Sequence, residues 1–232
     1  MPTVPELVHG DRLCRDEFER RYSAMERSKK AELVEGVVYM PSPVSHSRHS
    51  APHGRLLTWL GVYAAATPGV DFGDNATVRL DLENEVQPDA LLRLARGGRS
   101  RLGPGGYLEG APELAVEVTA SSASYDLHDK FRAYQRNGVQ EYLVWRVDEA
   151  AIDWFRLAGS RYERVEAVDG VLKSRAFAGL WLDVGAILRL ELGEVLGVLA
   201  RGTASREHAE FVAVMTAGGG EAAGSGCLRG DK

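Results

Sequence analysis

The chain has 232 residues, 44% of them hydrophobic and 26% charged, with a formal net charge of −5. That length fits one globular domain with a full-sized core and room for appendages. No apolar run approaches the roughly 18 residues of a membrane span, and the negative charge argues against a protein that coats nucleic acid non-specifically. Specific contact with a polyanion is not excluded, because basic residues can be local and metals cancel carboxylate charge.

In chain order, residues 1–30 read as a polar extension in which 16–27 can form one helix. The first fifteen residues lack the apolar stretch of a secretory signal. Residues 31–40 (AELVEGVVYM) read as a strand broken near Glu35-Gly36 into a hairpin, and Pro41-Ser42-Pro43 stops it. A helix follows over 46–66, with Leu56, Leu57, Leu60 and Tyr63 near helical spacing. Pro52 pushes its true start later, and Pro68-Gly69 ends it. Residues 76–82 alternate as a half-buried strand, and 86–94 form another, with Pro88 near its start. Residues 97–110 are a loop rich in Gly and Arg.

Residues 114–119 read as a short, buried central strand. An amphipathic helix over 124–137 places Leu127, Phe131 and Tyr134 on one face, with Asn137-Gly138 as its cap. Strands at 139–147 and 151–157 can pair as a hairpin, with 162–168 and 171–175 extending the meander. Helices are expected over 184–200 and 205–215, then a disordered Gly-rich tail over 216–232. The pattern is α/β with a mixed β-sheet flanked by helices, and the 114–119 strand, its following helix and the 139–147 strand form a βαβ crossover. The two cysteines, Cys14 and Cys227, lie near opposite ends. No disulfide framework is expected, and a reducing cytoplasm is the expected compartment.

Two patches carry chemistry. Gln87-Pro88-Asp89 and Leu114-Ala115-Val116-Glu117-Val118 each set a carboxylate inside or beside an apolar run. A buried carboxylate is costly unless a cation or hydrogen bonds hold it. Alone, Asp89 can be a turn or edge residue, and Glu117 a buried glutamate satisfied by an arginine or amides. Together they repel unless one is protonated or a cation lies between them, and they suit a hard divalent metal. Lys130, thirteen residues after Glu117, borders the buried helix face. It can orient water and offset charge in phosphoryl transfer, or simply pair with Asp126 one turn earlier. The set reads as a metal-dependent phosphodiester-cleaving site.

Other groups are weaker. Glu32 is a candidate third acidic residue, with Glu35 as its fallback; both can equally lie on a solvated strand face. His49 and His53 have the i,i+4 spacing that can chelate zinc, but a third ligand is not evident. One of His46, His49 and His53 near the mouth of the carboxylate site is the better reading. Arg93, Arg96, Arg99 and Arg101 fall within nine residues and suit phosphate contact as nucleic-acid-binding residues, or a solubilising loop. Ser121 and Ser122 lack a nucleophile-elbow context.

These residues, with Glu32-Leu33-Val34-Glu35-Gly36, Met40-Pro41-Ser42-Pro43, Pro88-Asp89, Ala111-Pro112-Glu113-Leu114-Ala115-Val116-Glu117-Val118, Asp126 to Lys130, Tyr134 and Gly138-Val139-Gln140-Glu141-Tyr142-Leu143-Val144-Trp145, together resemble the Uma-two family of restriction-endonuclease-like proteins with the PD-(D/E)XK nuclease fold. The resemblance spans roughly 31–148. It implies a nuclease domain over 31–215, a Mg²⁺-dependent site (Mn²⁺ as substitute) and DNA as partner. Asp89 takes the place of the PD aspartate and Glu117 that of the (D/E)XK acid. Thr119 stands where the motif has its lysine, and Lys130 fits a lysine displaced onto the next helix. Glu32 matches the upstream acid. On this reading Asp89, Glu117 and the Val118 carbonyl hold the metal, and removing either carboxylate leaves the fold intact or even more stable. Cleavage of both duplex strands favours a homodimer. The rival is a catalytically silent module that binds nucleic acid or protein, and the discriminator is whether Lys130 and the carboxylates converge within about 4–6 Å.

Overall fold

Polarity and turn chemistry set the first elements. In Arg15–Tyr22 (α1) Phe18 is the buried anchor among charged neighbours. Strands Glu32–Val34 (β1) and Val37–Tyr39 (β2) pair antiparallel around Glu35 and Gly36, whose φ angles of 52° and 72° are the left-handed pair of a two-residue hairpin turn. A computed structural model describes residues 4–26, 30–40, 45–119 and 126–217. The expected stop at 41–43, Ser121, Ser122, the start of the 124–137 helix, the side chain of Asp126, Cys227 and the tail beyond 217 lie outside them.

A π-helical turn, His46–Ser50, leads into Ala51–Ala66 (α2), with Pro52 in its first turn as the sequence predicts. The chain then runs through Val70–Asp74 (β3), Val78–Arg79 (β4), Glu85–Val86 (β5) and Ala90–Leu94 (β6). Strand β3 was not anticipated. Asp71, Gly73 and Asp74 give it little β character, and its pairing with β6 holds it. The strand expected over 86–94 is cut at Gln87-Pro88-Asp89, because proline has no N–H for a ladder, and β5 and β6 enter different sheets. The arginine-rich loop contains two short strands, Arg101–Leu102 (β7) and Leu108–Glu109 (β8).

Leu114–Thr119 (β9) is buried along its length. A second π-helical turn, Asp126–Lys130, precedes Phe131–Asn137 (α3), which ends at left-handed Gly138. Glu141–Arg146 (β10) lies parallel to β9, so the βαβ unit is present. Ala151–Ala158 (β11) and Arg161–Arg164 (β12) complete the meander. Val171–Lys173 (β13) does not extend it; it pairs with Trp181–Asp183 (β14) in a separate ribbon. The helix expected over 184–200 divides into Val184–Leu188 (α4) and Leu192–Thr203 (α5), broken at Leu190 with φ 64°. Arg206–Ala217 (α6) closes the described chain.

Among the described residues the main sheet has strand order β12-β11-β10-β9-β6-β3, and a smaller sheet runs β2-β1-β5-β4-β8-β7. Alternation along β9 assigns its two faces. Val116 and Val118 pack with Leu56, Trp59, Leu60 and Tyr63 of α2. Ala115 faces the other way, towards Ala133 and Tyr134 of α3 and Val34 and Val86 of the small sheet. Glu117 shares that second face. No helix among the described residues is long and apolar enough to cross a membrane.

Buried carboxylates also hold the frame. Glu113 accepts the Leu94 and Arg99 amides at 2.8 and 3.0 Å, and Glu141 accepts the Arg175 and Ala176 amides and the Ser174 hydroxyl. On β5, burial pushes the Glu85 carboxyl up to about 7, and hydrogen bonding to Glu19 adds to the rise against the opposing Arg79. The folded chain therefore holds this proton more tightly than the unfolded chain. The resulting stabilisation is complete below the ordinary value of 4.5 and is lost as pH rises through about 7. Thermal melts across that window are expected to show wild type losing stability relative to Glu85→Gln as pH rises. Parallel curves for the two proteins would contradict the assignment.

Candidate active site

Pairing brings the two sequence-predicted carboxylates together. Ala90 of β6 lies opposite Val116 of β9. One step along this antiparallel register, Asp89 meets Glu117. Asp89 Oδ2 accepts the Val118 amide at 2.7 Å, tying the residue after Pro88 to the centre of the sheet. The other oxygen, Oδ1, is 3.2 Å from His49 Nε2. Burial by itself pushes the Asp89 carboxyl up, but His49, the Val118 amide and the charge of Lys130 outweigh it and hold the group below its usual range.

Lys130 ends the π-helical turn before α3 and is 3% exposed. Its Nζ lies 2.9 Å from Glu117 Oε1 and 3.0 Å from Glu32 Oε1. Glu32, at the start of β1, also accepts the Gln87 amide. One helical turn after Lys130, the Tyr134 hydroxyl donates to Glu117 Oε1 at 2.9 Å. Burial, then the Glu117 charge, raise the Tyr134 hydroxyl far above its usual range, so it stays a neutral donor. The small sheet, the segment leading into β6, β9 and α3 thus each supply a group to one point. His49 and Lys130 both sit in π-helical turns, a local irregularity common at functional sites.

Three carboxylates, Glu32, Asp89 and Glu117, share this point with the Lys130 ammonium and His49. Among the described residues, no three His, Cys, Asp or Glu side chains form a ready-made metal cage. The oxygen set still suits Mg²⁺, which keeps several waters and is held by one or two carboxylates rather than an all-protein shell. A model of the Uma2 family, described as "Putative restriction endonuclease", matches residues 15–185.

The chain belongs to the Uma2 family. The match includes α1, so the family region begins earlier than the stretch over 31–148 that the motifs carry. A crystal structure titled as a putative nuclease of DUF820 from Anabaena variabilis ATCC 29413 aligns with a TM-score of 0.60 at 16% identity, covering 77% of this chain and 99% of that one. That likeness shows a shared fold. No curated protein matches.

In this Uma2 chain Thr119 occupies the motif's lysine position, and the lysine nitrogen reaches Glu117 from the following turn instead. Glu35 is not the upstream acid: it is a hairpin-turn residue whose Oε2 accepts from Arg136 at 2.7 Å. The zinc reading of the histidines does not hold. His49 pairs with Asp89, while His53 Nε2 lies 2.9 Å from the Asp89 carbonyl and 3.2 Å from Asp74. His46 is exposed.

The arginines stand apart from the carboxylates. Arg93 is 6% exposed and is turned inward, bound across the sheet to Asp71 of β3 and to the Ser100 carbonyl of the following loop. The loop is anchored on Glu113, four residues before Glu117, or about 13 Å along the strand. It therefore does not wall the site. His49 is the histidine of the three that reaches the carboxylate site, and Tyr134 is the site contributor whose role sequence reasoning did not assign. Tyr134 follows Lys130 by four, but its apolar spacing reads as core packing.

Proposed function

We propose that this chain is a metal-dependent endonuclease that hydrolyses phosphodiester bonds of DNA. The observation that carries this reading is the buried Lys130 ammonium, within 3.0 Å of both Glu117 and Glu32, on the strand face beside Asp89. That separation falls inside the range where opposite charges couple strongly, which supports an active site over a silent binding module.

Asp89, Glu117 and the Val118 carbonyl would hold Mg²⁺, with Mn²⁺ as a substitute, and the ion supplies Lewis-acid polarisation of the phosphate and acidification of a water. Lys130 orients the attacking water and offsets charge on the phosphoryl oxygens in the transition state. Glu32 aims the ammonium and positions the water. Tyr134 fixes Glu117, and His49 with the Val118 amide fixes Asp89. Cleavage of both duplex strands favours a homodimer with two symmetric sites.

Calorimetric titration of Mg²⁺ and Mn²⁺ into wild type and Asp89→Asn tests the metal assignment, with and without a duplex oligonucleotide to complete the metal shell. Binding by wild type that disappears in the variant is expected. Equal binding by both would remove Asp89 from the metal site, and no binding by wild type even with DNA would favour the silent module.

A further inference from the structure

Where α1 and β4 meet the Gly- and Arg-rich loop lies a polar cavity of about 350 Å³. Arg15, Arg79, Arg99, Arg101, Glu109 and Gly110 line it. Four arginines and one carboxylate, Glu109, are in the lining, and Glu19 and Glu85 next to it pair with Arg15 and Arg79, so the cluster keeps an excess of positive charge in a chain whose overall charge is negative.

The arginines are held in place rather than scattered. Arg15 Nη1 donates to the Asp81 carbonyl at 3.0 Å and Arg99 Nη1 to the Gly138 carbonyl at 2.9 Å. Arg79 pairs with Glu19 at 3.0 Å, and its guanidinium carbon lies 4.7 Å from the centre of the Tyr107 ring. Arg101 pairs with Glu109 at 2.8 Å. Each anchor uses only part of a five-donor guanidinium fork. The Arg15 Nε is buried, and although 3.3 Å from Glu19 Oε1 it has no hydrogen-bond acceptor among the described residues.

Glycines make room for this arrangement. A Cβ on Gly110 would lie 2.6 Å from the Arg99 carbonyl, and one on Gly138 would lie 2.8 Å from Arg99 Nη1. At Gly103 a Cβ would meet the Glu109 carboxyl at 2.6 Å. The backbone is shaped around the side chains that line the cavity.

We propose that this cavity is a phosphate-binding site whose occupant is a backbone phosphate of nucleic acid. Guanidinium forks match the tetrahedral oxygens of phosphate in a bidentate manner, and the cavity is at the small end of ligand-site volumes, sized for a phosphate with its sugar rather than a large molecule. The site itself stands on the arginines alone, while the choice of occupant rests on the nuclease reading. Phosphate contacts remote from the reacting group fix register without reading sequence.

The test uses the full chain in EDTA, so that cleavage plays no part. Inorganic phosphate is titrated by calorimetry, and a labelled duplex oligonucleotide by anisotropy at several salt concentrations. Wild type is compared with Arg99→Gln/Arg101→Gln and with Arg101→Gln alone, whose side chain is 80% exposed. Expected are phosphate binding by wild type, more than about tenfold weaker in the double variant, and a salt slope for DNA that is shallower by about two. No phosphate binding by wild type, or equal binding by all three proteins, overturns the site. Loss of phosphate binding with DNA affinity and salt slope unchanged keeps the site and overturns the nucleic-acid occupant in favour of a free phosphate ligand. These readouts are binding alone, so failure here is distinct from failure of the nuclease reading.

Discussion

Replacing Lys130 by methionine is expected to cost the fold about 3–5 kcal/mol and to abolish hydrolysis. Methionine nearly matches the lysine stem in volume, so the effect reports charge rather than a cavity. Lys130 Nζ bridges Glu117 and Glu32, and its removal leaves two largely buried carboxylates facing each other. Breaking a buried ion pair on one side has the stated magnitude, because the remaining charge is uncompensated. Urea unfolding at neutral pH measures the loss. The double variant Lys130→Met/Glu117→Gln is expected to regain part of that stability and none of the activity, since the coupled charges then disappear together. A single variant as stable as wild type would mean that the ammonium does not bridge the glutamates in solution.

The sequence made the elements of this site legible where local chemistry dictates them. The Glu35-Gly36 turn, the buried β9 run and the Gly138 cap follow from residue type, and each lies where expected. Asp89 and Glu117 stood out because a carboxylate breaks an apolar strand pattern. Elements that depend on distant partners were not legible. Strand β3 exists through its pairing with β6, and β14 through β13. The same limit explains the arginines. Four in nine residues suggested one phosphate-contacting surface, yet Arg93 turns inward to Asp71 while Arg99 and Arg101 join Arg15 and Arg79 from remote positions. Linear clustering cannot reveal which side a loop residue takes. Nor could it separate Glu113 and Glu141, satisfied largely by backbone amides, from Glu117, which is held by a lysine and a tyrosine.

That last distinction shapes the second large effect. Taken from the sequence alone, Glu117 is an uncompensated charge whose removal leaves the fold unharmed or stabilised. In the structure it is compensated twice, by Lys130 and by the Tyr134 hydroxyl. Glu117→Gln is therefore expected to lower stability modestly, by about 1–2 kcal/mol. The amide oxygen can still accept both hydrogen bonds, and Lys130 keeps Glu32 as its ionic partner. Cleavage is expected to fall much further, by about 10³-fold, equivalent to about 4 kcal/mol in the barrier, because a neutral amide is a poor ligand for a hard cation. The gap between a small stability change and a large rate change marks a functional carboxylate, whereas Glu141→Gln, at a buried carboxylate of the frame, should show the reverse balance. Measuring urea midpoints and Mg²⁺-dependent cleavage on the two variants side by side decides it. Full metal-dependent activity in Glu117→Gln would place the reacting phosphate elsewhere on the molecule.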